Sequence, residues 1–251
     1  MSELKKIYHT TPKATSRISN YNFTLTKSFI AFGVKIFLWS DSDTILNYEN
    51  AIRFSIKKLN IFFPKAPKSI SFFLLSSRKK FLRLAGKKND PDWLIAFIQN
   101  GSISKIFINS SSKKLSSTKT ITKILTHEIA HIYTNLLNPL LPDWVKEGIS
   151  VYLANQIYLP YISTKDWHML KPNKRYDFFM KKWETLADKY HAYNNSGLCV
   201  LFLIKYLGPK KILKIISIYK PSYDFIQFLA KNFDIKKNKL LSVIEKKLVK
   251  K

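Results

Sequence analysis

Two histidines and a glutamate stand at a spacing that suits metal chemistry. Residues 124–131 read Ile-Leu-Thr-His-Glu-Ile-Ala-His, so His127 and His131 are four positions apart and Glu128 follows the first of them. On a helix, residues i and i+4 share one face, where two imidazoles can bind one Zn²⁺ while the glutamate acts as a general base. The composition of the chain would produce this pattern roughly 0.002 times by chance. The pattern therefore predicts one zinc ion bound by His127 and His131.

A zinc site of this kind needs a third protein ligand. Residues 141–148 read Leu-Pro-Asp-Trp-Val-Lys-Glu-Gly, and 15 residues separate His131 from Glu147. A glutamate on the next helix can supply the carboxylate ligand. Gly and His at positions 134 and 137 would be another solution, but Thr134 and Leu137 stand there. Glu147 alone would suit a salt bridge with a lysine equally well; beside the histidine motif we expect it to bind the metal.

These segments resemble a known family. Trp-Val-Lys-Glu-Gly at 144–148 resembles the Trp-Leu-x-Glu-Gly signature of the gluzincin zinc metallopeptidases, the aminopeptidase N-like and peptidase MA-like group. Ala-Tyr-Asn-Asn-Ser at 192–196 is similar to the Tyr-Glu-Lys-Gly segment of that family, although the Glu-Lys-Gly part is not kept. The resemblance covers roughly residues 30–215 and implies a zincin-like fold, the thermolysin-type catalytic domain. It also implies these roles: His127, His131 and Glu147 as metal ligands, Glu128 as general base, and Tyr193 as hydrogen-bond donor to the oxyanion.

Departures from the family pattern bear on the substrate. The spacing between His131 and Glu147 is shorter than in the aminopeptidases, and the helical extension of the larger members is not expected here. Their Gly-x-Met-Glu-Asn strand, which binds a free amine, is replaced at 101–104 by Gly-Ser-Ile-Ser. We therefore expect a peptide or protein substrate and favour an endopeptidase over an aminopeptidase. A strand over 101–108, if it forms a sheet edge, could hold an extended peptide by strand addition.

Other histidines and tyrosines offer alternatives to these assignments. The remaining histidines are expected to be solvated or packed: His9, His168 and His191. Tyr190 and Tyr223 are alternatives to Tyr193 as the oxyanion donor. Because the chain has 13 Tyr, Tyr193 could also simply be packed.

The elements that must position these residues change character along the chain. Residues 1–28 are polar and are expected to form a lead-in, followed by one metallopeptidase domain over 29–251. Patterning predicts strands at 32–39, 69–75 and 103–108, with helices at 44–59 and 77–85. From residue 120 onward the predicted helices are 120–137, 142–159, 177–190, 194–207, 209–219 and 234–249. The expected class is α+β, a small mixed sheet followed by a mostly helical C-terminal half.

The charge is strongly one-sided. The chain of 251 residues carries 43 Lys+Arg against 16 Asp+Glu, a net charge of +27, and its 46% hydrophobic content excludes global disorder. Only five of the basic residues are Arg, which argues against specific base reading because bidentate recognition favours guanidinium. Non-specific attraction to anionic surfaces is expected. The alternative function is a basic binding module on a zincin scaffold, for an anionic membrane surface or nucleic acid, with catalysis lost or incidental.

The remaining composition concerns location and redox chemistry. Cys199 is the one cysteine, so no disulfide within the chain is expected, and its apolar surroundings predict an inert buried thiol. No apolar stretch reaches about 18 residues and no signal peptide is recognised, so a cytoplasmic protein is expected. Nothing in the sequence predicts the oligomeric state.

Overall fold

The structure is a computed structural model that describes residues 21–42, 48–87, 90, 94–99, 104–157, 192–221, 224–236, 238–240 and 242. The chain divides into two compact units, Met1–Tyr133 and Thr134–Lys251. The expectation of one domain over 29–251 stays a prediction. Several residues and one helix predicted from the sequence lie outside the described residues: His9, His168, His191, Tyr190, Tyr223 and the helix at 177–190.

A single mixed sheet forms from the strands described in the first unit. In chain order they are β1 (Thr24–Ala31), β2 (Val34–Ser40), β3 (Ser69–Leu75), β4 (Ala96–Gln99) and β5 (Ser104–Asn109). Their order across the sheet is β1-β2-β3-β5-β4. The three inner strands run parallel, and β1 and β4 pair antiparallel at the two edges. Together with the helices, this sheet confirms the predicted α+β class.

Three helices belong to the same part of the chain: α1 (Glu49–Phe62), α2 (Arg78–Leu84) and α3 (Thr118–Leu137), which continues into the second unit. The buried residues of α1 recur at helical spacing: Ala51, Ile52, Ser55, Ile56 and Leu59. The start of α3 is fixed by Ser117, whose hydroxyl accepts a hydrogen bond from the Thr120 N–H at 3.2 Å.

Aromatic side chains cross one face of the sheet as a ladder. We call Trp39, Phe73, Phe107 and Phe97 the aromatic ladder; they lie on β2, β3, β5 and β4 and are paired in register. Neighbouring rings are stacked, with centroids 6.0, 5.0 and 4.9 Å apart. Phe81 of α2 belongs to the same core cluster. Because each ring comes from a different strand, their stacking depends on the register of all four strands.

A buried carboxylate lies where β2 ends. Asp41 accepts hydrogen bonds from the Ser76 N–H at 2.8 Å and from Lys80 Nζ at 3.1 Å. Burial by itself would raise the pKa of Asp41, but the hydrogen bonds from Ser76 and Lys80 together outweigh it and hold that pKa below its usual value. Asp41 therefore stabilises this corner of the sheet in its ionised form.

The described part of the second unit is helical. Its helices are α4 (Asp143–Leu153), α5 (Ala192–Leu207), α6 (Pro209–Ile218) and α7 (Phe225–Phe233). Asn138, which follows α3, donates from Nδ2 to the carbonyls of Ile216 and Tyr219, both at 2.8 Å. Its Oδ1 accepts from the Leu140 N–H at 2.9 Å. One buried amide thus satisfies backbone groups of two separate segments.

Two edge strands differ from the sequence expectations. β1 begins at Thr24, inside the segment 1–28 that was predicted to be a lead-in, and so corrects that boundary. Most of its residues are exposed on both faces, so it has no hydrophobic alternation to reveal it. β4 was not predicted because it has only four residues. The predicted strand at 32–39 begins instead at Val34, since Phe32 and Gly33 form the turn after β1 with φ of 48° and 85°.

Helix ends also differ from expectation. The predicted helix at 142–159 ends at Leu153 because Asn155 is left-handed, with φ of 51°. The predicted helix at 234–249 cannot begin at Asp234, which is the left-handed cap that ends α7. Most of that segment lies outside the described residues. No helix in the described ranges is both long and apolar enough to cross a membrane.

Candidate metal centre

Helix α3 brings the two histidines together on one side. Its buried residues Ile121, Leu125, Ile129 and Ile132 form an apolar stripe that fixes the helix's orientation. His127, Glu128 and His131 are themselves buried. Burial of three polar groups so close together on one helix is costly unless they have partners.

The two imidazoles converge. Nε2 of His127 and Nε2 of His131 lie 3.1 Å apart, with the ring planes at 72° and the centroids 4.8 Å apart. Two nitrogens that bind one tetrahedral zinc at about 2.05 Å lie ~3.3 Å from each other. The observed spacing therefore fits two imidazole ligands of one ion.

Glu147 completes a group of three donors. Its side chain, on α4, is 2% exposed, and the ligand atoms of His127, His131 and Glu147 all lie within 4.8 Å of one another. Two imidazole nitrogens and one carboxylate oxygen form a donor set that suits zinc and leaves a coordination position open. The residues present thus fit a zinc ion.

Two polar contacts hold α3 against α1 on either side of the histidines. Ser55 and Thr126 share a hydrogen bond of 2.8 Å between their hydroxyls, and Thr126 directly precedes His127. The Tyr133 hydroxyl donates to Asn60 Oδ1 at 2.5 Å. The two residues of each pair are more than 70 positions apart in the chain, so no local sequence pattern signals these contacts.

A lysine beside Glu147 is buried as well. Lys146 donates from Nζ to the Pro139 carbonyl at 2.8 Å. Burial lowers the pKa of Lys146, while the nearby carboxylates of Asp143 and Glu147 oppose that shift. Lys146 therefore ties α4, the helix that also carries Glu147, to the Pro139 carbonyl.

Two glycines allow α4 and α5 to approach closely. A Cβ on Gly148, the residue after Glu147, would lie 2.4 Å from the Ser196 carbonyl oxygen; one on Gly197 would lie 2.6 Å from Val151 Cγ1. This crossing packs the first turns of α5 against the helix that carries Glu147. Tyr193 lies in the first turn of α5 and is half-buried, and its role as oxyanion donor stays a prediction.

The peptide-binding strand predicted at 101–108 is corrected by the sheet order. β5 (Ser104–Asn109) pairs with β3 on one side and β4 on the other, so it is an inner strand. An inner strand has no unpaired backbone edge for a peptide. The inner position of β5 is not readable from the sequence because strand order depends on contacts between residues distant in the chain. The edge on that side of the sheet is β4.

The prediction for Cys199 is confirmed. The thiol is fully buried in α5, and burial raises its pKa above the ordinary range. A neutral thiol in such surroundings is a poor nucleophile and metal ligand.

Comparisons with known proteins do not assign this chain to a family. No protein-family model matches the chain, and no curated protein sequence matches it. One solved structure that matches is a mutant two-domain M1 zinc metallopeptidase bound to L-tryptophan, with 11% identity and a TM-score of 0.39. The match covers 91% of this chain and 49% of the other, so the chain spans about half the length of that protein. At this TM-score the similarity does not define the fold, and the observations that remain are a mixed α+β architecture and a His-His-Glu group able to bind a metal.

Proposed function

We propose that this protein is a zinc-dependent peptidase of zincin-like fold that hydrolyses peptide bonds. The observation that carries the proposal is the convergence of His127, His131 and Glu147, whose ligand atoms lie within 4.8 Å of one another. Three buried donors of this chemistry, with the two Nε2 atoms 3.1 Å apart, fit one catalytic zinc ion. Glu128 follows the first ligand on the same helix, which is the position of the general base in this motif.

Each residue has a distinct part in the proposed reaction. Zinc, when bound, supplies Lewis acidity that polarises a carbonyl and lowers the pKa of water to about 7. Glu128 accepts the proton of the attacking water and passes it to the leaving amine. Tyr193 donates a hydrogen bond to the oxyanion that develops on the scissile carbonyl.

The proposed substrate is an internal peptide bond. Aminopeptidases need a carboxylate that binds the free amine of the substrate, and the described part of the edge strand β4 reads Ala-Phe-Ile-Gln, with no acidic residue. The lack of an acidic residue in β4 supports an endopeptidase over an exopeptidase.

Zinc content separates metal binding from general packing. We expect about one equivalent of zinc in the purified wild-type protein and almost none in His127→Ala or Glu147→Ala. His9→Ala, which removes a histidine outside the motif, is the matched control and should keep the wild-type content. Equal zinc content in all four proteins would refute the proposed ligands.

Activity then separates catalysis from binding. On a mixed peptide library, wild-type protein should show cleavage that a chelator abolishes and added zinc restores. Glu128→Gln should keep its zinc and lose at least 100-fold in cleavage rate, since general acid–base catalysis contributes about 10²–10⁴-fold. Tyr193→Phe should also keep zinc and reduce the rate. A zinc-loaded wild-type protein that cleaves nothing would favour the alternative, a basic binding module on this scaffold.

A further inference from the structure

Large apolar side chains are exposed together at one corner of the sheet. Ile30 and Phe32, at the turn between β1 and β2, are 62% and 53% exposed, and Phe54 and Ile61 of α1 are 59% and 80% exposed. Phe54 and Ile61 are seven positions apart and so share one face of α1. We call these four residues the hairpin corner.

Hydrogen bonds tie the hairpin turn to α1. Arg53 donates to the Ile30 carbonyl at 2.8 Å, and Asn60 Nδ2 donates to the Phe32 carbonyl at 3.1 Å. The Arg53 guanidinium also lies 4.7 Å from the centre of the Phe29 ring. Each donor directly precedes an exposed apolar residue of α1, so Phe54 and Ile61 each lie one position from a helix residue that contacts the turn.

The tip of the turn is strained. Phe32 has a φ of 48°, a region that bulky L residues rarely adopt and that glycine or asparagine adopts at lower cost. The ring is more than half exposed, so folding gains little from it. A strained, exposed aromatic residue at a turn is an observation that points to a role outside the fold.

Basic residues surround the apolar surface. Lys35 follows the turn, and its N–H bonds to the carbonyl of Lys68, which is also exposed. Lys57 and Lys65 are exposed as well. The nearby acidic residue of α1, Glu49, is paired with Lys27 at 2.5 Å and with Arg53 at 2.7 Å. The surface around the hairpin corner is therefore both apolar and positively charged.

We propose that the hairpin corner docks onto the surface of an anionic lipid bilayer. Apolar side chains at a protruding turn can enter the region between headgroups and acyl chains, while the surrounding lysines contact anionic headgroups. Aliphatic and aromatic groups at the centre of the patch suit acyl chains better than a phosphate backbone, where binding is dominated by charge. The net charge of +27 adds a long-range attraction to the same surface.

Vesicle co-sedimentation tests the proposal on the full chain. Wild-type protein should bind vesicles of phosphatidylcholine with 30% phosphatidylserine and bind pure phosphatidylcholine at least ~10-fold more weakly, as expected for lysines near an anionic surface. Phe32→Ser with Ile61→Ser should weaken binding to the anionic vesicles by ~10-fold or more, because two apolar side chains no longer enter the bilayer. The matched control is Leu140→Ser with Ile218→Ser, which removes two similarly exposed apolar residues and should bind like the wild type.

A second variant separates docking from folding. Phe32→Gly relieves the left-handed strain, so its thermal unfolding midpoint should stay unchanged or rise, while its binding to anionic vesicles falls. Equal binding by the wild type, both corner variants and the control would overturn the proposal. So would a wild-type dimer that the corner substitutions convert to a monomer, because a second copy would then cover the surface. Binding to DNA that the corner substitutions weaken equally would also overturn it.

Discussion

The glycine after Glu147 provides the sharpest test of the packing around the site. In Gly148→Ala, the new Cβ would lie 2.4 Å from the Ser196 carbonyl oxygen, 2.7 Å from Val200 Cγ2 and 2.8 Å from the Ser196 carbonyl carbon. Two of these three atoms belong to the backbone of α5. The contact is therefore relieved only when α4 and α5 move apart by about 1 Å, since ordinary contacts of this kind are ~3.4 Å.

The net effect combines two opposing terms. Replacing glycine by alanine within a helix stabilises it by about 1 kcal/mol, whereas overpacking of a close crossing costs about 1–3 kcal/mol. Because backbone atoms cause the clash, we place the cost at or above the upper end of that range. The free energy of unfolding should fall by about 2 kcal/mol, and the displacement of α4 should also weaken zinc binding through Glu147.

Urea unfolding followed by far-UV circular dichroism measures this change, and a second glycine supplies the control. In Gly197→Ala the new Cβ would lie 2.6 Å from a side-chain methyl of Val151. In a Val151→Ala background that methyl is gone, so Gly197→Ala should then cost much less unfolding free energy than it does in the wild type. Adding Val200→Ala to Gly148→Ala should recover little, since the closest atom is a backbone oxygen. If Gly148→Ala is as stable as the wild type, the close crossing of α4 and α5 is wrong.

Three further predictions concern buried polar groups. Asn138→Ala should cost about 2–3 kcal/mol of unfolding free energy in urea, because it removes hydrogen bonds to two buried carbonyls; a loss below 0.5 kcal/mol would contradict this. Asp41→Asn should be less stable at pH 7 by about 1–2 kcal/mol. Because folding lowers the pKa of Asp41, its contribution is present above the unfolded pKa of about 3.9 and lost as pH falls through the lower folded value. The difference in unfolding free energy between the wild type and Asp41→Asn should therefore disappear in acid. A difference that does not change with pH would exclude the Asp41 carboxylate as its cause. Ser55→Ala and Thr126→Val should each cost about 1 kcal/mol and the double variant no more than about 1.5; full additivity would show that the two hydroxyls are not coupled.

The metal motif could be predicted because its geometry is local. His127 and His131 are brought together by one helical turn, and the apolar stripe of α3 is readable from the same segment. α4 was likewise indicated by the segment that contains Glu147, although its end was not, since the stop depends on the left-handed conformation of Asn155. Short-range periodicity therefore accounts for most of the correct predictions.

The sheet edges, the strand order and the contacts between helices depend on long-range contacts that no local sequence pattern encodes. β4 was too short for a periodic signal, and β1 is exposed on both faces, so neither edge of the sheet was found. Without them, the sequence leaves open an edge position for β5, which is an inner strand. The hydroxyl pair of Ser55 and Thr126 joins two helices 71 positions apart, which only the tertiary structure can reveal.

The aromatic ladder has a consequence for the order of folding. The antiparallel pairs β1–β2 and β4–β5 join segments that are close in the chain, whereas both parallel pairings join residues 34 positions apart, as Trp39 with Phe73 and Phe73 with Phe107 show. Closing long loops costs more entropy than forming local hairpins and is slower. The two hairpins can therefore form first and independently, while stacking at Phe73 must wait until β3 inserts between them. Near-ultraviolet dichroism from the stacked rings should consequently develop late in refolding, after most of the backbone signal.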